Sequence, residues 1–201
     1  MADQNREATL RTQALVKALG QLAADLPADA VIAALTTPGK GAASSPAAAK
    51  VESFAFRGDI EAVKKAIGPT TAAILIEPLQ GEGGVRSPEL SFFRALRELC
   101  DANGLLLIFD EVQTGCGRTG HWFSYQRFGV TPDIMTLAKS LCGGVAGGAM
   151  LAKKEVAAAL KPGTHAATFG GNPLAARAGI AALEMIEQEN LLEAAKKIGE
   201  I

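Results

Sequence analysis

The sequence has few of the residues that build metal sites and disulfide frameworks. It contains three cysteines and two histidines in 201 residues, without a C-x-x-C pair. These numbers favour neither a zinc site nor a set of stabilising disulfides, so we expect no metal. We expect Cys100, Cys116 and Cys142 to be the reduced thiols of a cytoplasmic protein.

Strong net charge and long apolar runs are also missing. The 20 Lys and Arg residues against 21 Asp and Glu residues give a formal net charge of -1, which provides no general attraction for nucleic acid or anionic lipid. No apolar run approaches the roughly 20 residues that cross a bilayer. The first residues are polar and acidic, unlike a signal peptide. We therefore expect no nucleic-acid or membrane partner.

The composition is typical of a globular protein, with 48% hydrophobic and 20% charged residues. Apolar residues at helical spacing in 7–24 predict an N-terminal helical segment of unclear origin over residues 1–35. A stretch rich in Pro, Gly, Ser and Ala follows and predicts a flexible linker over 36–53. The main domain is predicted to begin at residue 54.

From residue 54 onward, helical and strand patterns alternate. Helices are predicted over 60–67, 87–103 and 172–189 and from 191 onward, and strands over 71–77, 105–111, 133–138 and 147–153. The strand at 105–111 is apolar on both faces, as in a buried parallel sheet. This order predicts an α/β fold whose sheet is mostly parallel and has helices on both faces.

Charged residues fall where three predicted strands end, at Glu77, at Asp110 with Glu111, and at Lys139. The carboxyl ends of parallel strands meet at one edge of a sheet, so we expect these residues to share one site. Burial of a lysine amine disfavours its charged form and frees the neutral amine for Schiff-base chemistry. A neighbouring carboxylate such as Asp110 could keep a pyridine nitrogen protonated.

Each residue alone has a simpler interpretation. An isolated loop lysine is usually solvated, and an aspartate at a strand end often caps a turn. Spacing does not decide between these possibilities. The segment GCGRTG also satisfies G-x-G-x-x-G at Gly115, Gly117 and Gly120. The residues EVQT lie between the LLLIFD run of its strand and the first glycine, and the following aromatic segment is short, so we do not expect a dinucleotide site.

Four longer segments occur in a characteristic order: IEPLQGEGG (76–84), LIFDEVQTGCGRTG (107–120), TPDIMTLAKSLCGG (131–144) and THAATFGGNP (164–173). With these, residues 54–201 resemble the class III (ornithine-type) aminotransferases, and within them the acetylornithine aminotransferases. The resemblance implies part of the large domain of the fold-type I pyridoxal-phosphate-dependent transferases. It also implies that the glycines of GCGRTG shape a loop.

The resemblance assigns four residues to pyridoxal 5'-phosphate. Lys139 would form the Schiff base and transfer the proton between substrate and cofactor, and Asp110 would hold the pyridinium nitrogen. Gln113 matches the residue that hydrogen-bonds the phenolic oxygen. Val112 matches the apolar residue that packs on the ring.

Three further residues are assigned to the surroundings of the cofactor. Thr168 matches a residue that reaches the phosphate of the partner's cofactor, which implies a homodimer. Glu82 matches an acid near the substrate pocket that pairs with an arginine, and Glu77 resembles a supporting acid behind it.

The reaction that the resemblance implies moves an amino group from acetylornithine, or an ornithine-like ω-amine, to 2-oxoglutarate in arginine biosynthesis. The family's phosphate-binding turn, its stacking aromatic and the arginine-bearing C-terminal domain have no match here. One alternative is therefore a truncated, inactive chain that acts at most as a dimerising or cofactor-binding domain. Another is a different class III enzyme, an ω-amino acid transaminase or glutamate-semialdehyde aminomutase.

Overall fold

The structure, a computed structural model, describes residues 31–32, 58–68, 71–161 and 167–200. Its sheet has the strand order β1-β5-β4-β3-β2. Strands β2, β3 and β4 are parallel, whereas β5 is antiparallel to both β4 and β1, so four of the five strands run in one direction. The strands are β1 (Val31–Ile32), β2 (Ala73–Ile76), β3 (Leu106–Asp110), β4 (Ile134–Leu137) and β5 (Ala149–Ala152).

Helices separate most of the strands, which confirms the α/β prediction. They are α1 (Ile60–Ala66), α2 (Leu90–Asn103), α3 (Ser124–Phe128), α4 (Lys154–Ala157), α5 (Pro173–Gln188) and α6 (Leu191–Ile198), with a 3-10 turn at Lys139–Cys142. Helix α1 begins after Asp59, whose Oδ1 accepts hydrogen bonds from two backbone amides of the first turn. Helix α2 ends at Gly104, which has the left-handed φ of 64° that glycine adopts without a Cβ clash.

One face of the sheet forms the core. Phe109 of β3 is fully buried there, and the Phe93 ring of α2 meets it edge-on at a centroid distance of 5.8 Å. Phe93 also stacks on Phe128 of α3 at 4.0 Å. Aromatic pairs of this kind add about 0.5–1.5 kcal/mol each beyond the burial of their area. The core thus fastens α2 and α3 to the middle of the sheet.

The other face is more open. Alternation along the strands places Leu75, Ile108, Asp110 and Thr136 on it, and Leu75 is 61% exposed. Among the described residues, no side chain on this face of β2, β3 or β4 is fully buried. Within the described ranges, the buried interface between helices and sheet lies on the core face.

A cluster of ion pairs fastens the edge of the sheet where β4 begins. Oδ2 of Asp133 accepts hydrogen bonds from the Leu107 amide at 2.7 Å and from Arg97 at 2.8 Å. Its Oδ1 lies 2.7 Å from Lys153 Nζ. Burial by itself would raise the pKa of Asp133, but the Leu107 amide and the two cations outweigh it and lower this pKa.

Two sequence predictions need correction. Residues 31–32 belong to the segment predicted to be helical, yet they form a strand, because Val31 and Ile32 pair with Leu151 and Met150. The other residues of that segment, the helix predicted over 7–24 and the linker at 36–53 lie outside the described residues. The pattern also missed the short helices α3 and α4, whose apolar residues span too few turns to show a period.

Two further expectations concern the cysteines and membrane-spanning helices. Cys100, Cys116 and Cys142 are free and buried, as predicted for reduced thiols. Within the part of the chain that the structure describes, none of the helices has both the length and the apolar character needed to cross a membrane.

Candidate active site

The predicted site residues of three strands do share one edge of the sheet. Because β2, β3 and β4 are adjacent and parallel, their carboxyl ends lie side by side. Glu77 directly follows β2, Asp110 ends β3, and Lys139 comes two residues after β4. The fold therefore places Glu77, Asp110 and Lys139 at neighbouring strand ends.

Asp110 presents one carboxylate oxygen that no described residue uses. Its backbone pairs with Thr136 of β4, and its Oδ1 accepts hydrogen bonds from Thr136 Oγ1 at 3.2 Å and from the Val112 amide at 3.0 Å. Oδ2 has no hydrogen-bond partner among the described residues. A partly buried carboxylate held through one oxygen can accept a proton donor, such as a protonated ring nitrogen, on the other.

Lys139 and Gln113 are in direct contact, although they are 26 residues apart. Lys139 Nζ donates a hydrogen bond of 2.5 Å to Gln113 Oε1. Lys139 has a left-handed φ of 46°, which is uncommon for a residue with a Cβ and occurs mostly at turns and functional sites. Its neighbours Leu137 and Leu141 are buried, while Lys139 itself is exposed. The expected burial of the Lys139 amine is therefore not found, because the left-handed turn directs the side chain away from the core.

Glu111 is separated from the other strand-end charges. We grouped it with Asp110, but consecutive residues of an extended chain lie on opposite sides, and Glu111 is only 1% exposed. Its carboxylate accepts hydrogen bonds from Thr114 Oγ1 at 2.6 Å and from the amides of Ser124 at 2.8 Å and Tyr125 at 2.9 Å. Burial raises the pKa of Glu111 despite these hydrogen bonds.

The loop after β2 packs against Gln113. Glu77 Oε2 accepts a hydrogen bond of 3.1 Å from the Gly81 amide, and a Cβ on Gly81 would lie 3.3 Å from Gln113 Cγ. Glu82 is exposed in the following turn and accepts no hydrogen bond from the described residues. The contact of Gly81 with Gln113 was not among the predictions, although the run QGEGG signals a close backbone approach.

Thr168 lies outside this group. It is exposed in a turn, and the next residue, Phe169, is 60% exposed. No contact joins Thr168 to Lys139 or Asp110 in the described part of the chain. Its predicted role toward a partner subunit therefore remains a prediction.

An open groove lies next to the lysine. It has a volume of about 630 Å³ and is lined by residues 137–139 and 144–150. Most of these are small apolar residues, and Lys139 is the only charged residue among them. This groove is the space into which a ligand bound to Lys139 could extend.

The glycine pattern of GCGRTG does not form a dinucleotide site. Residues 112–120 make a series of turns, and the next helix, α3, has five residues and begins at Ser124. A Cβ on Gly115 would lie 2.7 Å from Leu137 Cδ2 and 2.8 Å from the Glu111 carbonyl oxygen. Glycine is thus required here by close packing of the loop on β4.

Comparison with known proteins identifies the relatives of the chain. The family model described as aminotransferase class-III matches residues 29–201, so the match begins before the domain boundary predicted at 54. Acetylornithine aminotransferase 1 of Bradyrhizobium diazoefficiens is 60% identical over 141 residues, 70% of this chain and 35% of that protein. Acetylornithine aminotransferase of Methanopyrus kandleri is 56% identical over 144 residues, 72% of this chain and 37% of that protein.

Solved structures agree with these relatives. An acetylornithine aminotransferase from Elizabethkingia anophelis matches with a TM-score of 0.67 and 42% identity, over 71% of this chain and 37% of that one. An ornithine δ-aminotransferase from Plasmodium falciparum matches with a TM-score of 0.67 and 44% identity, over 71% of this chain and 37% of that one. The chain therefore spans little more than a third of the length of the proteins it matches.

Proposed function

Because this chain belongs to the class-III aminotransferase family, we propose that it takes part in pyridoxal-phosphate-dependent transamination, with Lys139 as the residue that binds the cofactor. The observation that carries the proposal is the contact between Lys139 Nζ and Gln113 Oε1, at the strand ends where only one oxygen of Asp110 is bonded by the described residues. A nucleophilic amine and an available carboxylate oxygen are two of the groups that this cofactor requires of its site.

The residues present fit the cofactor in four ways. Lys139 Nζ would hold it covalently and move the proton to and from the reacting carbon of the substrate. Asp110 Oδ2 would accept a hydrogen bond from the ring nitrogen and hold its proton there. Val112, whose amide is fixed by Asp110 Oδ1, would pack on the ring, and Gln113 would orient Lys139 and the phenolic oxygen. When bound, pyridoxal phosphate supplies a ring that accepts electrons from the substrate carbon that has lost its proton.

The proposed substrates follow the names of the relatives. We propose acetylornithine, or an ornithine-like ω-amine, as the amino donor and 2-oxoglutarate as the acceptor, with a role in arginine biosynthesis in the cytoplasm. Glu82, which has no hydrogen-bond partner among the described residues, is available to an arginine near the substrate. Glu77 would support it by holding the loop at Gly81.

We also propose a homodimer in which Thr168 reaches the phosphate of the partner's cofactor. Its support is the exposure of Thr168 together with that of two large apolar residues close to it in the sequence, Phe169 at 60% and Leu174 at 70%. Exposed apolar side chains next to a polar residue are common at subunit interfaces. Sedimentation of the protein with and without cofactor, for wild type and Thr168→Ala, tests the assembly and the contact.

The decisive experiment is chemical trapping. The 201-residue protein is mixed with pyridoxal phosphate and reduced with borohydride, and the modified lysine is located by peptide mass spectrometry. We expect the label on Lys139 at low cofactor concentration, and its loss in Lys139→Ala. Lys65→Ala, which removes an exposed lysine of α1, should leave the Lys139 label unchanged.

Two outcomes would count against the proposal. Labelling of Lys139 no faster than of Lys65 would show that the site does not bind the cofactor. Labelling of Lys139 without glutamate formation from acetylornithine and 2-oxoglutarate would support the alternative, a cofactor-binding domain that does not catalyse transamination alone.

A further inference from the structure

Glu111 is a buried acid next in the chain to the proposed cofactor residues, yet none of the proposed cofactor contacts uses its side chain. It lies between Asp110 and Val112, both assigned to the cofactor, and the carboxylate is turned away from them into the protein. The three hydrogen bonds that it accepts come from a hydroxyl and two backbone amides, and the Ser124 hydroxyl also acts on it; all of these groups are neutral. A buried carboxylate without a cation raises the question of what it contributes, because its burial is costly.

The carboxylate joins two parts of the loop that follows β3. Oε2 accepts from Thr114, three residues later. Oε2 also accepts a hydrogen bond from the Ser124 amide, and Oε1 accepts one from the Tyr125 amide. Both amides belong to the first turn of α3, where backbone amides lack intrahelical acceptors. Glu111 therefore ties the beginning of the loop to its end, 13 and 14 residues further along the chain.

The residue at the tip of the tied turn is Gln113. The Gly115 amide donates a 2.8 Å hydrogen bond to the Glu111 carbonyl oxygen, which closes a turn over residues 111–115. The side chain of Thr114 fixes the same turn to the carboxylate, and the Glu111 amide donates to the Thr136 carbonyl oxygen of β4 at 3.0 Å. Gln113 is the exposed residue of this turn and the one that contacts Lys139.

We propose that Glu111 is a positioning residue: its carboxylate fixes the 111–115 turn so that Gln113 holds the Lys139 amine at the mouth of the groove. The proposal rests on the proposed function for its biological meaning, but the geometry is a property of the chain alone. Only a carboxylate fits the three converging donors. A glutamine would turn an N–H group toward one of them and break the tie.

Asp133 provides a matched control. It is also a buried acid that accepts hydrogen bonds from a backbone amide, but it lies at the opposite end of the strands and has no contact with residues 110–115 or Lys139 among the described residues. Asp133→Asn should weaken the fold as Glu111→Gln does. Only Glu111→Gln should also change the chemistry at Lys139.

The test uses the full chain without cofactor and then with it. First, brief acetylation with acetic anhydride gives the ratio of Lys139 to Lys65 labelling in folded protein. Second, borohydride trapping gives the concentration of pyridoxal phosphate that half-saturates Lys139. We expect Glu111→Gln to change the labelling ratio and to raise the half-saturating concentration about tenfold, since one to two buried hydrogen bonds are lost. Asp133→Asn should leave both values within about twofold of wild type after correction for the folded fraction.

A second pair of variants covers the case in which Glu111→Gln does not fold. Thr114→Val removes one of the three donors and should raise the half-saturating concentration about threefold to fivefold, while Thr114→Ser keeps the hydroxyl and should restore the wild-type value. Equal values for Thr114→Val and Thr114→Ser, or for Glu111→Gln and Asp133→Asn, would overturn the proposal.

Failure of the proposed function is distinguishable from failure of this inference. If the wild-type protein does not bind pyridoxal phosphate at Lys139 but the acetylation ratio still responds to Glu111→Gln, the function is wrong and the positioning role stands. If wild type binds the cofactor and none of the variants differs from Asp133→Asn, the function stands and the positioning role is wrong.

Discussion

The two ends of the parallel strands each contain a buried acid, and the surroundings of the two acids are opposite in character. Asp133, before β4, has two cations and a backbone amide as partners, and their combined effect lowers its pKa. Glu111, after β3, has neutral donors only, and burial raises its pKa. The protein therefore stabilises the charged form of Asp133 at one end of the strands, whereas burial disfavours the charged form of Glu111 at the other end.

This difference separates structural from functional use of charge. The Asp133 cluster connects α2, β3, the start of β4 and the end of β5, which are all elements of the core. The Glu111 hydrogen bonds connect two parts of one loop and fix the turn that carries Gln113, which contacts Lys139. We infer that one end of the sheet is built for rigidity of the fold and the other for placement of one amine.

The largest effect on stability is expected at the structural end. Asp133→Ala leaves Arg97 and Lys153 without their shared carboxylate and the Leu107 amide without its acceptor. Breaking a buried pair costs about 3–5 kcal/mol, and partial exposure of Lys153, at 29%, places this case near 3 kcal/mol. Urea unfolding followed by circular dichroism measures the loss. A change below about 1 kcal/mol would show that the cluster is only a surface ion pair.

A smaller effect on stability is expected at the functional end. Asp110→Asn keeps an oxygen that can accept from the Val112 amide and Thr136, so the free energy of unfolding should change by less than about 1 kcal/mol. The amide cannot hold a protonated ring nitrogen as a carboxylate does, so we expect at least about tenfold weaker cofactor binding. If Asp110→Asn instead destabilises strongly and leaves cofactor binding intact, Asp110 is a turn-capping residue, the simpler interpretation that its position in the sequence allows.

Much of this site could be predicted from the sequence because strand ends and charged residues coincide. The apolar runs before Glu77, Asp110 and Lys139 place them at one sheet edge once the strands are parallel and adjacent. The alternation of an extended chain also contained the information that Asp110 and Glu111 lie on opposite sides, although we had grouped them. The separation of Glu111 from Asp110 could therefore have been predicted from the sequence.

Other features depend on contacts that are distant in the sequence. The direction of β5 is decided by its neighbours, since the apolar pattern of a strand is the same in either direction. The Asp133 cluster brings together residues as far apart as Arg97 and Lys153. The left-handed turn at Lys139 and the exposure of its side chain depend on how the chain leaves β4. The local sequence, with Leu137 and Leu141 two residues before and after the lysine, does not indicate this turn.

The pH dependence of unfolding should separate the two acids. Asp133, whose pKa is lowered from 3.8, contributes stability that is present above that value and is lost as the pH falls through its folded pKa. Glu111, whose pKa is raised from 4.5, contributes stability that is present below that value and is lost as the pH rises through its folded pKa. The advantage of wild type over Asp133→Asn should therefore shrink in acid, and its advantage over Glu111→Gln should shrink as the pH rises. Urea titrations at several pH values measure both, and parallel curves would contradict the comparison.

The smallest effect is kinetic and uses the native thiols. Burial raises the pKa of Cys100, in α2, to about 11 and that of Cys116, in the loop after β3, to about 12, so neither should react with a thiol reagent in the folded state. Each becomes reactive only when its surroundings open, and local opening is easier for a loop than for a core helix. We therefore expect Cys116 to be labelled before Cys100 under native conditions, although its raised pKa alone would make it the slower of the two.

The variant Glu111→Gln sharpens this measurement. It should speed the labelling of Cys116 more than that of Cys100, because it releases the loop, whereas Asp133→Asn should speed both together through global unfolding. Mass spectrometry of labelled peptides at successive times gives the two rates. Equal acceleration in both variants would mean that the two ends of the sheet open as one unit, and that the loop has no independent freedom for Glu111 to restrict.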